Sequence, residues 1–429
     1  MPQLPRVLVI SPCVFNYQNG GGVTFSNLFQ GWPQNALANL HSSPQDPDKS
    51  VCANFYRLSG EDIVRPWPLR KRGPSSLGAA TTEKNSSLST KGNFRKAIHR
   101  FYRDRIVGNS GLPQAFQPSS ALLEWLDKFK PEVIYTILGP IPHLDAILFI
   151  QNRYNCRIVV HCMDDWYDQA YTSGVFRFQR SKMLKKFKEI FDKADQCLAI
   201  GESMAKEFSK RFHKQFTAFQ NTIDVRGFSA QSQKYREEGT KSTMPRVLYF
   251  GSVLPFAQLD AIAEVAEAID ATQKFQFEII TIKECISDCE AKLGHLKSVK
   301  LSLITKDQEH FCRELSQADI LLLPSNFDPA SVEFLKYSMP TKVPGYLASG
   351  TPILVYGPKE VAQVQYAIEN KWARCVTTQS KNEIAEALLE LQSNKAENAD
   401  LVQTALKVAE KNHDAINVRR AFQELLAKV

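Results

Sequence analysis

The chain of 429 residues exceeds the roughly 250–300 at which one hydrophobic core stops growing, which predicts two domains. Its 43% hydrophobic and 23% charged residues exclude the disordered, collagen-like and disulfide-stapled classes. The net charge of +8 is concentrated from Arg65 to Arg105, where eleven Lys or Arg face only Glu83 and Asp104, leaving a near-neutral remainder.

Such a basic segment suits an anionic membrane surface or a lipid-phosphate acceptor, or is a solvated loop. Nucleic-acid binding is disfavoured, because the cations lie in a Gly/Ser-rich stretch with no recognised binding module. No run of about 18 apolar residues and no signal-peptide pattern occurs, so a cytoplasmic protein is expected, at most peripheral at the inner face of the membrane. The nine scattered cysteines read as reduced core thiols.

In chain order, Arg6–Ser11 reads as a buried strand, followed by Gly20, Gly21 and Gly22 and by a helix over Val23–Trp32. From about 66 to 95 the composition predicts a mobile basic loop. A helix at Ala121–Lys130, a strand at 132–136, a helix over Pro142–Tyr154 and a strand at 157–161 continue the alternation of a parallel sheet. The helix Ser181–Ala194 carries lysines opposite Met183, Phe187, Ile190 and Phe191, a pattern suited to covering the sheet or to lying on a membrane.

The polar stretch 229–245 reads as a linker, after which strands and helices alternate again from Arg246, ending in a long helical region over Val402–Val429. The expected domains are therefore 1–228, 246–400 and a C-terminal helix, 401–429, packing back on the first domain. Open parallel sheets of this kind bind ligands beyond the carboxyl ends of their strands.

Two segments carry chemistry by themselves. The Gly20–Gly22 run between a strand and a helix suits either a phosphate cradle or a plain tight turn. The run Tyr337-Ser-Met-Pro-Thr-Lys-Val-Pro-Gly-Tyr-Leu-Ala-Ser-Gly-Thr-Pro places Lys342 at a helix start, where its charge can hold a diphosphate, and the short Ser338 leaves room for it.

This run closely resembles the donor-binding helix of retaining GT-B glycosyltransferases, particularly the bacterial polysaccharide-type, family-4-like enzymes. The glycine loop, Val159–Trp166 and Tyr249–Ser252 agree with it in position. The resemblance implies two Rossmann-like α/β domains facing a cleft, with a nucleotide-sugar as donor substrate and a glycan or lipid-linked glycan as acceptor. It implies a metal-independent reaction and no cofactor. Lys342, Gly251, Ser252, Ser338 and Tyr346 would bind the donor, with Gly21 and Gly22 facing its phosphates.

His161, Asp164 and Asp165 follow a first-domain strand and would be the catalytic, acceptor-side polar residues. His161 also suits a core position, and the aspartates suit helix capping. Tyr337 and Gly345 stand where many such enzymes carry two glutamates, and Val253–Leu259 supplies no cation to a leaving group. These departures leave open a glycosyltransferase-like scaffold without catalysis, and the fold also hosts nucleotide-sugar epimerases.

Overall fold

The computed structural model describes residues 4–17, 20–65, 109, 111–239, 244–305 and 308–429, and the basic loop expected at 66–95 lies outside the described residues. The chain forms two compact units, Met1–Phe219 with Arg419–Val429, and Gln220–Val418.

The first unit is built on strands β1 (Val7–Ser11), β2 (Leu37–His41), β3 (Asn54–Arg57), the short antiparallel pair β4 (Ile63–Val64) and β5 (Ala115–Phe116), then β6 (Val133–Thr136), β7 (Arg157–Cys162), β8 (Gln196–Ala199) and β9 (Phe216–Ala218). Its main sheet has the order β3-β2-β1-β6-β7-β8-β9 with every neighbour parallel. Helices cover a parallel sheet on both faces, so its strands are apolar almost throughout, as Val7 to Ile10 are here. β2 is less evident in sequence because Asn39 and His41 interrupt it. Burial is tolerated because Asn39 Nδ2 donates to the Val9 carbonyl at 3.1 Å.

The second unit contains β10 (Arg246–Phe250), β11 (Gln276–Thr281), β12 (Val299–Leu303), β13 (Ile320–Pro324), β14 (Ile353–Tyr356) and β15 (Arg374–Val376), in the all-parallel order β12-β11-β10-β13-β14-β15. In both sheets the order reverses beside the first strand, between β1 and β6 and between β10 and β13. That reversal is the switch point of a doubly wound Rossmann-like fold, where flanking loops part and leave room for a ligand.

One segment differs from the sequence reading. In place of a linker over 229–245, a helix runs Val225–Glu238, capped by Asp224, which accepts the Gly227 N–H at 3.0 Å. Its buried Val225, Phe228, Ser232 and Tyr235 recur at helical spacing and pack toward the helix Gln308–Gln317; intervening Arg, Gln and Lys dilute the pattern. The C-terminal helical region is in two parts, Lys395–Asn412 and Ala415–Lys428. Between them the backbone pairs with Ile223, whose N–H donates to the His413 carbonyl and whose carbonyl accepts from Ala415 N–H. Phe422, in the returning segment, packs edge-on against Phe29, Tyr135 and Phe219 of the first unit.

All nine cysteines are free thiols. Among the described residues no helix is long and apolar enough to cross a membrane.

Four histidines, His41, His143, His161 and His413, are buried, and desolvation of the charged ring pushes each down to about 4. In the unfolded chain they take up protons near pH 6.5, whereas the folded chain refuses them until about pH 4. The histidines should therefore make stability fall below pH 6.5, by up to about 1.4 kcal/mol per pH unit for each. Melting curves between pH 7.5 and 5 check this, and His413→Gln, if it folds, should flatten the slope.

Candidate functional site

In the second unit the site begins at the end of β10. Gly251 has φ +147°, a conformation that side chains rarely adopt. A Cβ there would stand 2.6 Å from Lys342 Nζ, so the missing side chain is what admits the amine. On its other side the amine lies over the face of Tyr249, 3.9 Å from the ring centre. The buried ring is held by its hydroxyl, which donates to the Ser252 carbonyl at 2.6 Å and so closes the turn after the strand.

Lys342 immediately precedes the short helix Val343–Ala348, and two hydrogen bonds fix its backbone. Tyr346 Oη accepts the Phe250 N–H at 3.0 Å, tying that helix to β10, and Asn221 Nδ2 donates to the Thr341 carbonyl at 2.7 Å. Asn221 is braced in turn: its carbonyl lies 2.9 Å from His413 Nδ1, whose Nε2 is 3.0 Å from Tyr366 Oη. Among the described residues no carboxylate makes an ion pair with Lys342, and desolvation pushes its ammonium down to about 7. The amine is thus a cation held by an aromatic face, which an anion would complete.

Gly251, Ser252, Lys342 and Tyr346 therefore meet at the β10 end of the second sheet's switch point. Tyr346, expected to touch the donor, is a buried brace with its hydroxyl on the strand backbone. Ser338 is half-buried and donates its N–H to the Leu335 carbonyl at 3.1 Å, ending the helix Pro329–Leu335. Gly345 has a packing reason to be glycine: a Cβ there would stand 2.4 Å from the Phe311 ring. Phe311 stacks edge-on with Phe250, so an aromatic cluster borders the position where a glutamate was expected from the resemblance.

In the first unit the helix Gly20–Phe29 starts beside the loops after β1 and β6. A Cβ on Gly21 would lie 3.1 Å from Ile137 Cδ1 and 3.2 Å from Cys13 Sγ, and the Cys13 thiol accepts the Gly22 N–H. Burial, together with the nearby negative charge of Asp164, pushes that thiol up to about 11. The structure thus gathers Gly21, Gly22, Cys13 and Asp164.

His161 and Asp165 stand apart from this group. His161 lies within β7, fully buried, with Nδ1 2.6 Å from Tyr135 Oη, the position of a core histidine. Asp165 is 4% exposed, caps the short helix Trp166–Gln169 and pairs with Arg211 at 2.9 Å; burial still raises its carboxyl. Asp164 is exposed, so it is the carboxylate of the pair that faces solvent.

Cys13, Asn221, Arg211 and Phe311 were not singled out from sequence, and Tyr249 was named only as the start of a motif. Only Tyr249 carried a signal, lying one residue before the Phe-Gly-Ser turn.

These two doubly wound sheets make the two-domain Rossmann-like fold of the GT-B glycosyltransferases. Along nearly its full length the chain is similar to sucrose-phosphate synthase from Thermosynechococcus elongatus, with 14% identity, a TM-score of 0.64 and 99% of each chain covered. It is similar to HepE from Anabaena in complex with UDP and glucose, with 9% identity, a TM-score of 0.65, and 99% of this chain and 100% of that one covered. The same holds for a UDP-forming trehalose-phosphate synthase from Burkholderia xenovorans, with 10% identity, a TM-score of 0.60, and 98% and 99% covered. In sequence, residues 78–226 match the model of Glycosyltransferase Family 4. No curated protein matches the chain significantly in sequence.

The crowding at Gly345 has a measurable consequence. Gly345→Glu should lower the melting temperature, by roughly the 1–3 kcal/mol typical of an overpacked core, and adding Phe311→Ala should recover part of the loss. Equal melting of Gly345→Glu and the parent would contradict the packing argument.

Proposed function

We infer that the protein is a glycosyltransferase that moves a sugar from a nucleotide-sugar donor to a glycan or lipid-linked glycan acceptor. The observation that carries this is Lys342, an ammonium with no carboxylate ion-pair partner among the described residues, seated against a side-chain-free turn at the switch point of the second sheet. Anabaena HepE, similar in fold, is described in complex with UDP and glucose, which supports a uridine nucleotide as the first donor to try.

In the transfer, the bond between the sugar's anomeric carbon and the β-phosphate oxygen breaks and a bond to the acceptor hydroxyl oxygen forms. The leaving diphosphate gathers negative charge, and Lys342 would stabilise it. Gly251 and Ser252 would lie beside the same phosphates, and Gly21 and Gly22 are proposed donor-binding residues of the first unit. Asp164 would orient the acceptor hydroxyl or take its proton, while His161 and Asp165 hold the strand end and the helix start that present it.

We propose that anomeric configuration is retained, the acceptor oxygen attacking from the face that the diphosphate leaves, and that the fixed cation at Lys342 serves in place of a metal. The basic residues between Arg65 and Arg105 suit an anionic membrane surface beside which a lipid-linked acceptor would be presented.

A second reading, a glycosyltransferase-like binding protein without turnover, is favoured by one observation. Val253–Leu259, which follows Gly251 and Ser252, contains no Lys or Arg. A thermal-shift screen against UDP-, GDP-, ADP- and CMP-sugars, with and without EDTA, tests both. Under the transferase reading one nucleotide-sugar at about a hundred times its dissociation constant adds roughly 2.7 kcal/mol, insensitive to EDTA and abolished in Lys342→Ala. Asp164→Asn should keep that shift and lose most transfer. No shift with any nucleotide would overturn the donor site, binding without transfer would favour the second reading, and acceptor-free conversion of the sugar would instead indicate an epimerase.

A further inference from the structure

Away from both groups of site residues, the first unit presents an apolar turn to solvent. The 3₁₀ turn Val175–Phe178 leads directly into the helix Gln179–Lys193, and in it Val175 is 56% and Phe178 is 67% exposed. The half-buried Phe176 packs edge-on against Phe178, its ring centre 6.2 Å away. Scattered exposed apolar residues are ordinary, but this turn is firmly held.

Asn109 staples the loop before it. Its side-chain oxygen accepts the N–H groups of Thr172 and Ser173 at 2.9 Å, and its Nδ2 donates to the Gln169 carbonyl at 2.7 Å and to Thr172 Oγ1 at 2.8 Å. Arg180 clamps the other side, donating to the Ala170 carbonyl at 2.7 Å. The backbone is fixed and the aromatic side chain still points to water.

The charges carried by the turn and by the first half of the helix have one sign, with Arg180 of these paired to Asp168 behind the turn. Arg177, Lys182 and Lys185 are exposed and make no ion pair with a carboxylate among the described residues, and Lys182 and Lys185 follow Phe178 at four and seven residues, on one helix face. Acidic residues enter the helix only in its second half, where Glu189 and Asp192 pair with Lys193 and Lys188. The opposite face, with Met183, Phe187, Ile190 and Phe191, is buried, so the helix cannot lie down on a surface and only its first turn is available.

An aromatic and a branched aliphatic side chain ringed by unpaired cations match the boundary of an anionic bilayer, where the rings enter the headgroup layer and each cation meets lipid phosphate. We propose that Val175–Phe178, with Arg177, Lys182 and Lys185, is a docking surface for an anionic lipid bilayer. This surface is independent of the donor site and does not require that the protein transfer sugar.

The test uses the full chain and vesicles of phosphatidylcholine, with or without about one-third phosphatidylglycerol, in co-sedimentation at about 0.05 M and about 0.5 M salt. Binding is expected to the anionic vesicles only and to weaken at high salt. Lys182→Glu with Lys185→Glu should reduce it at least tenfold, since each cation near such a surface is worth about fivefold. Val175→Ser with Phe178→Ser should reduce it several-fold, and both pairs should melt with the parent.

Phe178→Trp, which keeps an aromatic ring and so guards against a folding defect in the serine pair, should show blue-shifted emission on anionic vesicles only. Absence of binding by the parent overturns the proposal, as does equal affinity for neutral vesicles. Undiminished binding by both double variants, or a Phe178→Trp spectrum indifferent to vesicles, would assign the contact to another surface and also overturn it.

Discussion

An ammonium group withdrawn from water without a carboxylate ion pair is costly, and among the described residues the second unit holds one at Lys342. The surrounding residues reduce that cost in specific ways. Tyr249 turns its negatively polarised face to the amine, Gly251 withdraws its side chain, and Tyr346, Asn221 and His413 hold the two backbone segments in register. A site so arranged stores affinity for an anion, because a diphosphate would restore the charge compensation that the fold withholds.

The same economy is seen at the end of β7 in the first unit. Asp164 and Asp165 are adjacent in sequence and opposite in fate: one is exposed, while the other is buried, caps a helix and is paired with Arg211. A helix start fixed by a buried ion pair gives the exposed neighbour a rigid base. His161, hydrogen-bonded to Tyr135 within the sheet, completes the base from below.

Much of the fold was legible because buried parallel strands are uninterrupted apolar runs, as in Val7–Ile10 and Ile320–Leu323. Where a polar residue is buried with a partner the run breaks, and β2, with Asn39 bound to Val9, shows it. The helix Val225–Glu238 was obscured because its buried positions are separated by polar ones and include Ser232. Lys342 and Gly251 were legible as motif residues, yet their contact joins positions ninety-one apart and depends on how β10 and the following helices pack. The buried brace at Tyr346, the core setting of His161 and the fit of Phe311 against Gly345 are likewise products of packing that no local pattern encodes.

Selective observation of lysine side chains tests the central claim most directly. With lysine labelled at Cε and Nζ, one resonance, absent from the Lys342→Ala spectrum, should titrate near pH 7 in the free protein. On addition of a nucleotide-sugar whose diphosphate bears on the amine, that midpoint should rise by more than one unit, because an adjacent anion favours the charged form. A Lys342 resonance that titrates near 10.5, like an exposed lysine, or one indifferent to every nucleotide-sugar, would contradict the account.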